Sequence, residues 1–194
     1  MNAGGDTTEE AIPYAGAVLV GGRGRRFGGD KCAHPYRGRS LLEHALDAMA
    51  DARERWLVGG APRDVAGAPW IPDERSGFGA LGGVHAALRR AGTPWLAVTA
   101  CDMPFLPAAL WPVLLSRSDG VRLVVPEGPT GLEPLAAVYH RDLMPEIDAL
   151  LARGGGPLRA LLDAAPSRVV PWRELRLHLP ASAFLNANRP EDLP

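Results

Sequence analysis

A chain of 194 residues is long enough for one domain with a substantial core and too short for two comfortable ones. With a formal net charge of −1, no strongly basic stretch outside one glycine-rich loop and no aromatic residues interleaved with arginines, it is not built as a general nucleic-acid binder. Two cysteines at no metal-ligand spacing argue against a disulfide scaffold, and no run reaches the ~18 apolar residues of a membrane span.

Residues 1–12, "MNAGGDTTEEAI", are small, polar and acidic and lack the apolar centre of a signal peptide. They are expected to form a flexible arm ahead of a single domain over residues 13–194 of a soluble cytoplasmic protein. "AGAVLV" (15–20) predicts a buried strand that runs into the glycine loop. "SLLEHALDAMAD" (40–51) predicts a helix, with Ser40 and Glu43 at capping-box spacing and Leu42, Ala45, Leu46 and Met49 on one face. "RWLVGG" (55–60) and "PWIPD" (69–73) read as short strands, and the glycine-rich "ERSGFGALGG" after them reads as a loop. A helix, "VHAALRRAG", follows and ends with Gly92 at C′. "PWLAVTACD" (94–102) is the expected central strand, apolar until it meets an acid.

The second half is less regular. "VRLVVPE" (121–127) and "LAAVYH" (135–140) read as strands, "DLMPEIDALLARGG" and "PLRALLDAA" as helices, "SRVVPW" as a late strand and "FLNANRPEDLP" as a terminal turn with a short helix. Strand and helix alternate over the first hundred residues. The expected fold class is therefore α/β: one three-layer, Rossmann-like domain around a mixed, predominantly parallel sheet.

In "AVLVGGRGRRFGGDKC" (17–32), a β-branched run meets five glycines, three arginines and a lysine. Glycine lets backbone approach an anion and frees its N–H groups to face it, so a phosphate chain is the expected occupant. The dinucleotide pattern G-x-G-x-x-G fails, because Phe27 stands at its third glycine. The P-loop pattern G-x-x-x-x-G-K-[ST] fails as well, because Asp30 follows Gly29 and no Ser or Thr follows Lys31.

What remains, Gly21-Gly22, Gly24, Arg26, Gly28 and Asp30-Lys31 after an apolar strand, resembles the signature of the MobA-like nucleotidyltransferases, the family that includes molybdenum cofactor guanylyltransferase. "PDERSGFGALGGVHAAL", "TACDMPFL", "LEPLAAVYHR" and "FLNANRPEDL" resemble further segments of that family, so the likeness spans residues 17–193. The chain departs from the pattern at Ala80, where proline is usual, at Glu133, where glutamine is usual, and at Arg189, where threonine is common. Cytidylyl relatives tend to carry two alanines before the glycine, so Gly21-Gly22 leans toward the guanylyl branch.

The resemblance implies transfer of GMP from GTP to the terminal phosphate of molybdopterin or its molybdenum-loaded form, with release of pyrophosphate. Other cofactor-assembly proteins would be partners. It also implies base contacts from Leu19, Val20, Gly21 and the Asp73 segment, with Asn186 and Asn188 near the metal and the acceptor phosphate. Chemistry points the same way. In-line displacement at the α-phosphorus needs two anions positioned and their charge neutralised. Backbone amides of residues 21–24, including Gly22 and Gly24, would grip phosphates; Arg26 and Lys31 would supply positive charge. Asp102 suits Mg²⁺, which takes one or two carboxylates with phosphate oxygens and waters.

Several residues fit a second reading. Asp73 fits a turn after Pro72 as well as a ribose or base contact. Asp102 could cap the next helix, and the two asparagines could be turn residues. Cys32 and Cys101 fit buried structural positions. At the level of function, the other readings are a nucleotidyltransferase using CTP or a different acceptor, and a nucleotide-binding regulator without turnover.

Overall fold

The computed structural model describes residues 11–21, 29–65, 67–75 and 77–194. In chain order the elements are β1 (Tyr14–Leu19), β2 (Pro35–Tyr36), β3 (Arg39–Ser40), α1 (Leu41–Asp47), β4 (Arg55–Val58), β5 (Trp70–Ile71), α2 (Gly79–Arg90), β6 (Trp95–Ala100), α3 (Leu110–Leu115), β7 (Leu123–Gly128), β8 (Gly131–Leu132), β9 (Ala137–His140), α4 (Met144–Ala152), α5 (Leu161–Ala164), β10 (Ser167–Val170) and α6 (Trp172–Leu175). The main sheet runs β10-β7-β9-β6-β1-β4-β5, with β8 paired to β7. β1 pairs parallel with both β4 and β6, β4 with β5, and β7 with β10; β9 lies antiparallel between β6 and β7. The expected mixed, mostly parallel sheet is the one observed.

Side chains on successive strand residues point to opposite faces, and both faces of β1 are covered. Val18 and Val20 pack with Leu42 and Met49, in and just after α1, and with Trp111 of α3. Ala15, Ala17 and Leu19 pack with Leu81 and Val84 of α2 and Ile147 of α4. Helices on both sides of the sheet give the three layers. Trp111, fully buried, also donates its indole N–H to the Ala48 carbonyl, which ties α3 to the turn after α1.

Ser40 and Glu43 form the expected capping box: Ser40 Oγ accepts from the Glu43 N–H at 3.2 Å and Glu43 Oε2 accepts from the Ser40 N–H at 2.7 Å. Other expectations need correction. α2 begins at Gly79, inside the segment read as a loop: Gly79 turns the chain at a φ of 58°, and the two glycines after it in the helix serve close packing. A Cβ on Gly82 would stand 2.6 Å from Asp73 Oδ1, and one on Gly83 would stand 3.0 Å from Leu19 Cδ2. Gly92 follows the last helical turn as expected but not in the left-handed conformation; its N–H donates to Glu54 Oε1 instead. The sequence reading lacked α3, α6 and the β2–β3 hairpin. No helix among the described residues is long and apolar enough to cross a membrane.

Candidate active site

In an open α/β sheet, ligands bind beyond the carboxyl ends of the strands where the strand order reverses. Here that point is β1, whose chain continuation goes to β4 on one side and whose other neighbour is β6. A cleft of about 680 Å³ opens there. Leu19 and Gly21 line it from β1, Val58, Gly59 and Gly60 from β4, Trp70, Pro72 and Asp73 from β5 and beyond, Gly79 and Gly83 from α2, and Ala100 and Asp102 from β6. Small residues and bare backbone dominate these walls, which leaves room for a flat ligand against main-chain polar groups.

Lys31 and Asp102 are 71 residues apart in sequence and meet at the cleft, with Lys31 Nζ 3.1 Å from Asp102 Oδ2. Lys31 begins a single 3₁₀ turn (Lys31–Ala33) that Asp30 caps by accepting from the Cys32 N–H at 3.1 Å. Asp30 is itself gripped at both oxygens by Arg63, at 2.6 and 2.8 Å, and this guanidinium holds its carboxyl below the usual range. Asp102 stands two residues past β6, with its carbonyl accepting from the Ala187 N–H at 2.8 Å. It caps no helix, since α3 starts only at Leu110. Its Oδ1 is buried and has no hydrogen-bond partner among the described residues. A buried carboxylate oxygen left without a donor is costly, and it fits a hard divalent cation.

A second acid, which the sequence reading did not select, lies close by. Glu133 is half-buried, and burial, followed by the charge of Asp102, raises its pKa. Its only sequence signal was the departure from glutamine at that position. Cys32 and Cys101 influence each other: the neighbouring Cys32, together with burial, pushes the Cys101 thiol up, while Cys101 pulls the Cys32 thiol down. Both are buried and free of any disulfide, in line with the structural reading.

Asp73 makes a turn contact and also lines the cleft: its Oδ1 accepts from the Arg75 N–H at 3.0 Å. Burial raises its pKa. An acid whose folded pKa lies above its unfolded value carries a penalty that is fully present above the folded pKa and vanishes below the unfolded one. Asp73→Asn should therefore be more stable than the native protein at pH 7, with the difference shrinking to nothing as the pH falls below the ordinary aspartate range. Thermal melts across pH check this; a variant less stable at pH 7 contradicts it.

The other expected residues divide. Val20 turns its side chain into the core on the face opposite Leu19, away from the cleft, and its N–H donates to the Val58 carbonyl at 3.0 Å. Asn186 and Asn188 flank Ala187, whose N–H donates to the Asp102 carbonyl; Asn186 is half-buried and Asn188 is exposed. Gly22, Gly24 and Arg26 lie outside the described residues. Gly59, Gly60 and Trp70 belong to the cleft and were not selected from sequence, although the glycine pair ending "RWLVGG" was visible there.

A glycine-walled cleft at the sheet's switch point, with a lysine–aspartate pair beside it, defines a nucleotide-handling α/β protein. Residues 16–169 match the MobA-like NTP transferase domain, and the chain belongs to that family. It is 36% identical over 188 residues to the probable molybdenum cofactor guanylyltransferase of Deinococcus radiodurans, covering 94% of this chain and 93% of the relative. It is 33% identical over 184 residues to the molybdenum cofactor guanylyltransferase of Desulfosudis oleivorans, covering 92% and 91%. The solved structure of molybdopterin-guanine dinucleotide biosynthesis protein A from Archaeoglobus fulgidus matches with a TM-score of 0.77 at 28% identity, over 92% of this chain and 94% of that one.

Proposed function

We propose that the protein is a molybdenum cofactor guanylyltransferase, transferring GMP from GTP to the terminal phosphate of molybdopterin or molybdenum-loaded molybdopterin. An oxygen of that phosphate attacks the α-phosphorus of GTP, a new P–O bond forms, the α–β bond breaks, and pyrophosphate leaves. The observation that carries the reading is the pairing of Lys31 with Asp102 at the cleft, with Asp102 Oδ1 buried and without a protein donor among the described residues. The names of relatives matched over nearly the whole chain support the choice of acceptor.

Each residue has its part in this reading. The nucleoside of GTP occupies the cleft, against the strand-end backbone of Leu19–Gly21 and beside Asp73. The glycine loop, including Gly22, Gly24 and Arg26, meets the phosphates. Asp102 would hold Mg²⁺, and a divalent cation there draws charge from the α-phosphate and the leaving pyrophosphate. Lys31, whose ammonium Asp102 orients in the free protein, stabilises the negative charge that builds on the phosphates in flight. Asn186 and Asn188 lie on the acceptor side of Asp102.

Equilibrium binding of the four nucleoside triphosphates in Mg²⁺ tests the nucleotide half of the proposal. GTP should bind at least about tenfold tighter than CTP or ATP, because a base that leaves buried polar groups unpaired is rejected strongly. CTP preferred over GTP would move the protein to the cytidylyl branch, and equal affinity for all four would favour an unselective nucleotide sensor.

A further inference from the structure

Trp70 lies outside every motif behind the family resemblance, yet it walls the cleft, and its indole Nε1 donates to the Gly59 carbonyl at 2.8 Å. Gly59 and Gly60 follow β4 in the left-handed region, with φ of 76° and 61°. The turn is crowded against the end of β1: a Cβ on Gly60 would stand 2.7 Å from the Val20 carbonyl. The Gly59 N–H is spent on the Ile71 carbonyl at 3.0 Å. The Gly60 N–H has no acceptor among the described residues.

The Gly59 carbonyl and the Gly60 N–H belong to one peptide group. In a trans peptide these two point in opposite directions, so whatever fixes one fixes the other. Between two glycines a peptide plane turns over at little steric cost, since both residues accept either sign of φ. Such a flip would exchange a donor for an acceptor at the edge of the cleft. A donor there suits the 6-oxo group of guanine, whereas an acceptor suits the 6-amino group of adenine.

We propose that Trp70 sets purine specificity by holding the Gly59–Gly60 peptide in the orientation that offers the Gly60 N–H, and not the Gly59 carbonyl, to the base. Trp70 is a positioning residue that acts through the backbone, and the inference rests on the GTP reading given above.

The test is calorimetric binding of GTP, ITP, ATP and 2-aminopurine riboside triphosphate, with Mg²⁺ and no acceptor, to the native full-length chain and to Trp70→Phe. Phenylalanine keeps an aromatic ring and removes the N–H. The native protein should hold GTP and ITP, which share the 6-oxo group, at least about tenfold tighter than ATP and the 2-aminopurine nucleotide, which lack it. Trp70→Phe should narrow the GTP-to-ATP ratio about tenfold, the worth of one such hydrogen bond. A folded variant with an unchanged ratio, or with all four nucleotides weakened equally as loss of mere packing would do, overturns the inference while leaving the GTP reading intact. If Trp70→Phe does not fold, the native protein decides alone: 2-aminopurine nucleotide bound as tightly as GTP overturns the inference, and 6-oxo selectivity supports it. Failure to bind any nucleotide, or preference for CTP, overturns the GTP reading and this inference with it.

Discussion

Asp102→Asn should lower the transfer rate by on the order of a thousandfold while leaving the fold intact. The substitution keeps the shape of the side chain and removes its charge. What anchors residue 102 in the fold is its main chain, since its carbonyl accepts from the Ala187 N–H at 2.8 Å, and that bond survives the change. The change removes the carboxylate whose Oδ1 is buried without a donor among the described residues and whose Oδ2 orients Lys31. An amide is a far poorer partner for a divalent cation than a carboxylate. Direct Mn²⁺ binding, followed by electron paramagnetic resonance in the presence of GTP, should fall together with the rate. A folded variant with near-native turnover and Mn²⁺ affinity would show that Asp102 is not a metal ligand.

Lys31→Ala should cost about two orders of magnitude in kcat, which corresponds to ~3 kcal/mol of transition-state stabilisation, as for loss of one preorganised donor to a developing charge. Lys31 is well placed for that cost: its side chain is 16% exposed, it sits on a turn pinned by Asp30 and Arg63, and its ammonium is already at the cleft. Little reorganisation then separates the free protein from the reacting complex. Removing it also leaves Asp102 and the half-buried Glu133 with less positive charge nearby, so the variant should bind a divalent cation no less tightly than the native protein does. That combination, slow transfer with retained metal binding, distinguishes Lys31 from Asp102. An unchanged rate would reduce Lys31 to an ion-pair partner.

The central strands were legible because they are buried on both faces and therefore run as unbroken apolar stretches, as in "AVLV" and "WLAVTA". α1 was legible because its start carries a local chemical signature, the Ser40–Glu43 box. The start of α2 was not. Glycine discourages helix by itself; here Gly79 supplies a positive φ at the helix start, and the approach of Asp73 and Leu19 requires Gly82 and Gly83. α3 and α6 were missed for a related reason: each is short, and Pro112 in α3 and Pro171 just before α6 weaken the helical pattern, although proline is tolerated in a first turn.

Within the site, Lys31, Asp73 and Asp102 were visible because charged or turn-forming residues interrupt apolar or glycine-rich surroundings. The Gly59–Gly60 turn and Trp70 were not singled out, because their contribution is backbone orientation. That depends on the β4–β5 pairing, and on an indole reaching 11 residues back along the chain to a carbonyl. Arg63 had no signal at all; its place beside Asp30 comes entirely from the fold.

The most direct measurement of the proposed activity is transfer itself: full-length protein, Mg²⁺, GTP labelled at the α-phosphate, and molybdopterin, with the label and the released pyrophosphate followed together. Label should move from GTP to molybdopterin with one pyrophosphate released per transfer, and CTP in place of GTP should give little product. Label that stays on the nucleotide while GTP binds tightly, or transfer that runs from CTP and not from GTP, would contradict the proposed activity.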